Sequence, residues 1–295
     1  MQRIIYLSRI NIDMRVSIIT INYNNLDGLR KTVESVVGQT YLDFEYIIVD
    51  GASTDGGAEY LKDVGSKSYP FVLKWVSEKD SGIYNAMNKG VRMAEGEYVL
   101  MLNSGDYLVD EHVIERIMPE LDGANIVQGN NIEEREEGVY RNRGFGKSDI
   151  DLFEIMKGFF LHQASFCKRD LFEKYGYFDE SYRIAGDTKF FMNCLGVHGA
   201  AFKYVNIDVA NFDCNGISAK PSYKWNDPTK SEYMRIVREL FPERMFEFMA
   251  ENDKKIRLYD YLHKHTWVWN LVMAVTHFAK LFYKSPQERI IERVR

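Results

Sequence analysis

Short polar stretches interrupt the apolar runs of this sequence: NYNN at 22–25, DGASTD at 50–55, SEKDSG at 77–82 and NSGD at 103–106. Their residue types suit different tasks. The ring of Tyr23 can stack on a flat heterocycle, and the carboxylate of Asp50 can accept hydrogen bonds from a base or a ribose. Glu78, Asp80 and Asn103 add further polar ends. Asp106 is a hard oxygen donor of the kind that holds a divalent cation against a diphosphate. Each residue also has an ordinary use, because Asn and Asp form turns and cap helices. Asp106 therefore reads either as the cap of a turn or as a metal ligand. Where folding brings the stretches together separates the two readings.

The elements around them predict that place. A β-branched run at 16–21 precedes the first stretch, and LDGLRKTVESVV follows it with Leu26, Leu29, Val33, Val36 and Val37 at helical spacing. FEYIIVDG is a second strand, with a short helix from Ala58 to Val64. FVLKWVSE is a third, IYNAMNKGVRMAEG a helix stopped by Gly96, and EYVLMLNSGD a fourth strand. Strands alternating with helices predict parallel pairing with right-handed crossovers and a sheet covered on both faces. Ligands of such sheets lie beyond the carboxyl ends of the strands. That edge receives Asn22-Tyr23-Asn24, Asp50, Glu78 with Asp80, and Asn103 with Asp106, which raises the odds of a shared site.

After residue 120 the pattern changes. NIVQGN and VYRNRG flank the charged turn EEREEG as a hairpin or meander, then come HQASFCKRDLFEKYGYFDE, the helix GDTKFFMNCLG and the strand AFKYVN, with a mostly helical reading from Pro221 onward. The 295 residues suffice for one main domain with an appendage. A net charge of −5 provides no global attraction for nucleic acid, and three widely spaced cysteines form neither a disulfide framework nor a zinc knuckle. A reducing, cytoplasmic compartment fits. The first strand is followed by neither G-x-G-x-x-G nor G-x-x-x-x-G-K-[ST], which weighs against a dinucleotide-dependent oxidoreductase and a P-loop NTPase.

Taken in order, VSIITINYNN, VDGASTDGG, SEKDSGIYNAMNKGV, YVLMLNSGDYL and GYFDESYRIAGDTKFF resemble the motifs of the family 2 glycosyltransferases of GT-A fold. The resemblance covers about 14–220. It implies a three-layer α/β/α domain with a mixed, Rossmann-like sheet and an inverting transfer of sugar from a UDP- or GDP-sugar to a saccharide or lipid-linked saccharide. Cell-surface polysaccharide biosynthesis is the setting it implies. Under it, Tyr23 and Asp50 contact the nucleobase, Asp80 lies by the base or ribose, and Asn103 joins the donor site. Asp106 corresponds to the last acid of the DxD motif, ligating Mg²⁺ or Mn²⁺ between the donor phosphates, and Asp187 corresponds to the general base. His162 and Gln163 resemble a polar pair on the acceptor wall. Two departures stand out. The DxD stretch keeps only one acid, and Asp187 sits where it can also cap its own helix. A nucleotide-sugar-binding protein without transferase activity is the alternative that the reduced motif raises.

These readings divide the chain into an N-terminal extension (1–13), the transferase domain (14–220) and a helical C-terminal region (221–295). WVWNLVMAVTHFAKLFY at 267–283 is too interrupted by Asn270, His277 and Lys280 to span a bilayer. Its broad apolar face and flanking basic residues suit peripheral contact with the cytoplasmic face of an inner membrane, or equally packing on the protein itself or in a homodimer.

Overall fold

The computed structural model describes residues 15–135, 137–156, 158, 160–214, 232–245, 247 and 271. β1 (Val16–Asn22), β2 (Phe44–Asp50), β3 (Val72–Ser77) and β4 (Tyr98–Met101) alternate with α1 (Leu26–Val37), α2 (Gly57–Ser66) and α3 (Ile83–Met93). β5 (Tyr107–Leu108), α4 (Val113–Ile117), β6 (Ile126–Arg135), β7 (Gly138–Asn142) and α5 (Leu152–Ile155) come next. β8 (Ser165–Lys168), α6 (Asp170–Tyr175), α7 (Gly186–Met192), β9 (Phe202–Phe212) and α8 (Glu232–Leu240) complete the order.

Among the described residues the strands join one mixed sheet in the order β3-β2-β1-β4-β8-β6-β9-β5, with β7 paired to β6. β3, β2, β1 and β4 run parallel, whereas β8 is antiparallel to β4 and β6. Every residue of β1 and β2 is buried, as expected of strands covered on both faces. Successive side chains divide between those faces. Val16, Ile18, Phe44, Tyr46, Ile48, Tyr98 and Leu100 pack with Leu29, Val33 and Val36 of α1 and Leu61 and Val64 of α2. α3 lies on the opposite face. A Cβ at its Gly90 would fall 2.3 Å from Cγ2 of Ile19, so a glycine lets the helix settle on the strand.

Two expectations change in extent. The fourth strand, expected to run through Asp106, ends at Met101; Leu102 N and Ser104 N still donate to Ile19 O and Ile21 O of β1, and the chain then turns through Gly105 at φ 108°. The strand at AFKYVN continues to Phe212, since β9 pairs with β6 through Glu133 and with β5 through Asn211. The predicted hairpin is β6–β7. The chain divides into two units at residue 240, with α8 in the first. Residues 1–14 lie outside the described residues, as does the 267–283 stretch apart from Leu271. Among the described residues no helix is long and apolar enough to cross a membrane.

One buried ion pair fastens the edge of the sheet opposite the polar stretches. Glu45 is fully buried; it accepts from Ser17 Oγ at 2.5 Å, from the backbone N–H of Gly96 at 3.0 Å and from that of Glu95. Lys74 Nζ lies 2.9 Å from Glu45 Oε2 and donates to Met93 O at 3.1 Å and Glu95 Oε1 at 2.7 Å. The cluster therefore joins β1, β2 and β3 to the link between α3 and β4. Removing one partner strands a charge in the interior. Lys74→Met is expected to cost on the order of 3–5 kcal/mol in urea unfolding at pH 7. Glu45→Gln combined with Lys74→Met should recover most of that loss, because the amide oxygen still accepts from Ser17 and the two N–H groups.

Candidate active site

At the carboxyl edge of β1, β2 and β3 the side chains are organised around Asp50. Its carboxylate is fully buried and accepts from Asn22 Nδ2 at 2.8 Å, Ser53 N at 3.0 Å, Ser53 Oγ at 2.5 Å and Ser77 Oγ at 2.6 Å. Burial pushes the carboxyl up, and the bonds from Ser53, Ser77 and Asn22 more than reverse this, so it lies below its ordinary value. The carboxylate is thus taken up by the ends of three strands and by the turn after β2. Tyr23 and Asp80 meet over that turn. A Cβ on Gly51 would come within 2.5 Å of Asp80 Oδ2 and 3.0 Å of the Tyr23 ring. Tyr23 is 68% exposed, leaving its ring free for a planar partner.

The turn carrying Asp106 is held from beneath by α1. Thr32 Oγ1, buried in the helix, accepts from Gly105 N at 3.0 Å and lies 2.6 Å from Asp106 O. Asn25, the N-cap of α1, donates from Nδ2 to Ser104 O at 3.0 Å, and Ser104 Oγ lies 3.2 Å from Asn25 O. The Asp106 carboxylate is 5% exposed and accepts from Asp213 N, just past the end of β9, at 2.8 Å. Burial pushes it up to about 6; the charge of His162 and the Asp213 N–H oppose the rise, and the Asp213 carboxylate adds to it. That second acid is close. A Cβ on Gly105 would sit 2.7 Å from Asp213 Oδ2, so the left-handed turn and the neighbouring carboxylate both call for glycine.

The turn adjoins a second group of residues. His162, in the 3₁₀ turn His162–Ala164 that leads into β8, pairs through Nδ1 with Asp187 Oδ2 at 2.9 Å. Its Nε2 lies 3.3 Å from Asn103 Nδ2. Both side chains are near-buried, 17% exposed for His162 and 15% for Asp187. Burial lowers the His162 imidazole, but the Asp187 bond and charge, together with the Asp106 charge, raise it above its ordinary value. Burial raises the Asp187 carboxyl; the bond and charge of His162, the Thr188 N–H and the Tyr84 hydroxyl bring it below. Asp187 thus stays ionised beside an imidazole that favours its charged form. Asn103 Oδ1 is buried without a hydrogen-bond partner among the described residues. One orientation of that amide donates to neutral Nε2, and the other accepts from a protonated Nε2–H.

Tyr84 of α3 supports the acid from the sheet side. Its hydroxyl is bonded to Ile184 O and lies 3.1 Å from Asp187 Oδ1. A Cβ on Gly186 would come within 2.7 Å of the Tyr84 ring, so glycine allows the start of α7 to lie against it.

The sequence-predicted residues thus form two neighbouring groups. Tyr23, Asp50 and Asp80 surround the turn after β2, while Asn103, Asp106, His162 and Asp187 line the end of β4 and the start of α7. Gln163 is 4% exposed and buried next to His162. Lys89 donates to Lys79 O at 3.0 Å and pairs with Glu78 at 3.0 Å, a local use of its charge. Ser218, in the stretch NGIS, which would suit a loop closing over the donor, lies outside the described residues. Tyr84, Thr32 and Asp213 were not singled out from sequence. Thr32 and Tyr84 occupy helical positions that read as core, and Asp213 is distant in sequence from the turn it joins.

A residue that directly contacts a ligand and one that holds a turn differ in their effect on stability. Asp50→Asn sets an amide N–H₂ against groups that donate, at an expected cost of roughly 2–4 kcal/mol in denaturant unfolding at pH 7. The sign with pH follows from the depressed folded value, since the unfolded chain takes up this proton first. The stability due to Asp50 is complete above about pH 5 and is lost as the pH falls through the ordinary value of 3.8 toward the lower folded one. Below about pH 4 the wild type should therefore lose stability more steeply than Asp50→Asn.

Comparison with known proteins gives this site its setting. The family model described as "Glycosyl transferase family 2" matches residues 17–176. An uncharacterized glycosyltransferase of Mycobacterium tuberculosis is 34% identical over 218 residues, covering 72% of this chain and 80% of that protein. The PGL/p-HBAD biosynthesis glycosyltransferase of Mycobacterium bovis is 29% identical over 203 residues, covering 67% and 76%. Among solved structures, S. aureus TarS in complex with UDP-GlcNAc superposes with a TM-score of 0.61 at 18% identity, covering 77% of this chain and 65% of that one. The mannosyltransferase PcManGT of Pyrobaculum calidifontis, in complex with GDP-Man and Mn²⁺, superposes with a TM-score of 0.54 at 19% identity, covering 95% and 79%. At these identities the structural likeness carries the fold, which is the GT-A type. With its family model spanning more than half the residues, the chain belongs to family 2 of the glycosyltransferases, and it is a transferase.

Proposed function

We propose that this transferase moves a sugar from a UDP- or GDP-sugar to a hydroxyl of a saccharide or lipid-linked saccharide with inversion, and that Asp187 is its general base. The observation that carries the reading is the pairing of Asp187 with His162. It keeps a near-buried carboxylate ionised beside the turn that bears Asn103 and Asp106. Inversion requires in-line attack on the anomeric carbon, so a carboxylate must take the acceptor hydroxyl proton on the face away from the leaving diphosphate. Tyr84 and His162 hold that carboxylate on both oxygens, limiting its rotation.

Tyr23 and Asp80 receive the nucleobase and ribose in this reading, and Asp50 secures the turn on which they meet. The residues near Asp106 fit a hard divalent cation: a buried acid raised to about 6, a neighbouring Asp213 carboxylate and an unpartnered Asn103 carbonyl oxygen. Asp106 would hold Mg²⁺ or Mn²⁺, and the ion would neutralise charge on the departing diphosphate. Among the described residues no three His, Cys, Asp or Glu side chains are grouped to hold a metal. The ion is therefore proposed to bind together with the donor phosphates. The amphipathic 267–283 stretch, on its sequence alone, is proposed to bring the enzyme to a membrane carrying a lipid-linked acceptor.

Thermal shifts with UDP and GDP, with and without Mn²⁺, test the donor site, because a ligand at 100 times its Kd adds about 2.7 kcal/mol of stability. One nucleotide should raise Tm more with Mn²⁺ than without. Asp106→Asn should remove the Mn²⁺-dependent part while leaving the Tm of the free protein within a few degrees. Asp187→Asn should keep the nucleotide shift and lower diphosphate release from the donor sugar by on the order of 10²–10⁴-fold. Undiminished turnover in Asp187→Asn would exclude it as the base. Nucleotide binding without turnover of any UDP- or GDP-sugar would favour a binding role alone.

A further inference from the structure

The backbone that carries Asp187 into α7 is held by a carboxylate from a distant part of the chain. Glu232, the first residue of α8, accepts from Arg183 N at 2.7 Å, Ile184 N at 2.9 Å and Ala185 N at 2.9 Å. Consecutive N–H groups converging on one anion form a concave donor set of the kind found before helix N-termini. α7 has no side-chain cap of its own. Asp187 is the acid in the first turn of α7, and the carboxylate from α8 binds the N–H groups just ahead of it. Ile184 is bound on its other side as well, for its carbonyl accepts from Tyr84. The Ile184–Ala185 peptide is thus clamped between Glu232, which accepts from its N–H, and Tyr84, which donates to its carbonyl.

α8 directs a single stripe at this region. Glu232, Arg235 and Glu239, spaced for one helical face, all reach residues 181–189. Arg235 donates to Ser181 Oγ at 2.9 Å, and Glu239 accepts from Tyr182 Oη at 2.8 Å and Lys189 Nζ at 2.6 Å. Ile236 and Val237 are buried on α8 beside these bonds. Of the three polar residues, only Glu232 binds the backbone immediately ahead of Asp187.

We propose that Glu232 is a positioning residue for catalysis: by binding the N–H groups of residues 183–185 it sets where the Asp187 carboxylate stands at the start of α7. This rests on the reading of Asp187 as the base. It gives one residue of α8, Glu232, which follows the family-matched residues 17–176 in the chain, an indirect part in the reaction. A base displaced by about 1 Å from its line of attack loses on the order of 10²-fold in rate while the substrate still binds.

Glu232→Gln in the full chain tests this, because its amide N–H₂ faces backbone donors instead of accepting from them. Arg235→Met is the control, loosening the same helix through its bonds to Ser181 and Glu239 and its packing on the Tyr182 ring while leaving the bonds to residues 183–185 in place. Release of UDP or GDP from the sugar nucleotides with Mn²⁺, the sugar passing to water or to an added saccharide, and amide hydrogen exchange over 181–190 are measured for both variants and the wild type. Glu232→Gln should lower kcat about 10- to 100-fold with the donor KM within about twofold, and speed exchange at 183–185 at least about tenfold. Arg235→Met should stay within about threefold of wild type in turnover. Wild-type turnover in Glu232→Gln overturns the positioning role alone. Equal losses of turnover and Tm in the two variants also overturn it, reducing α8 to a stabilising helix. A wild type that releases no diphosphate from any donor sugar overturns the functional reading and this role with it, whatever the exchange data.

Discussion

A buried carboxylate must be surrounded by donors, and the carboxyl edge of the parallel strands is arranged around that constraint at Asp50. Removing a charge from water is costly, and the cost is offset only when its oxygens accept several good hydrogen bonds. Asn22 from β1, Ser53 from the turn after β2 and Ser77 from β3 meet that need together. Satisfying one charge therefore brings the ends of three strands into register, and Gly51 can then pass between Tyr23 and Asp80. At the other edge, Glu45 and Lys74 perform the corresponding task. The sheet is thus tied at both ends by acids buried among donors, with apolar strands between them.

The second group of polar residues follows a different logic. Asp106 and Asp187 are acids of low exposure, and His162 stands where both charges act on it. Burial favours protonation of each carboxylate, and the His162 imidazole opposes it at both. The consequences diverge. Asp187, bonded directly to His162, falls below its ordinary value, while Asp106, which His162 reaches only through its field, rises to about 6. One acid is thereby kept ionised, and the other becomes responsive to whatever positive charge comes beside it. Such a separation of like groups by environment is what a site needs to assign them different tasks.

The support for Asp187 is spread widely along the chain. Tyr84 comes from α3, His162 from the turn before β8 and Glu232 from α8, so residues far apart in sequence converge on a short segment. None of these contacts is local. Their precision depends on the sheet, because the distances among α3, β8 and α7 are set by packing against shared strands.

Much of this architecture was legible in the sequence. The β-branched runs, the helical spacing of Leu29, Val33 and Val36, and the polar residues ending each run specify alternating strands and helices with polar side chains gathered at the carboxyl edge of the sheet. These are local properties: periodicity and turn chemistry act over a few residues and survive translation into structure. The ordered motifs also identified the family, because several short patterns in sequence carry more information than any one. What the sequence left open at Asp106 and Asp187, cap or functional acid, depends on neighbours supplied from elsewhere in the chain. Only the tertiary structure decided that Asp50 is saturated by donors, that His162 lies between two acids, and that Asp213 and Glu232 arrive at turns distant in sequence. The reason is physical: electrostatic shifts, buried hydrogen bonds and close glycine contacts depend on distances through space, which sequence spacing does not encode.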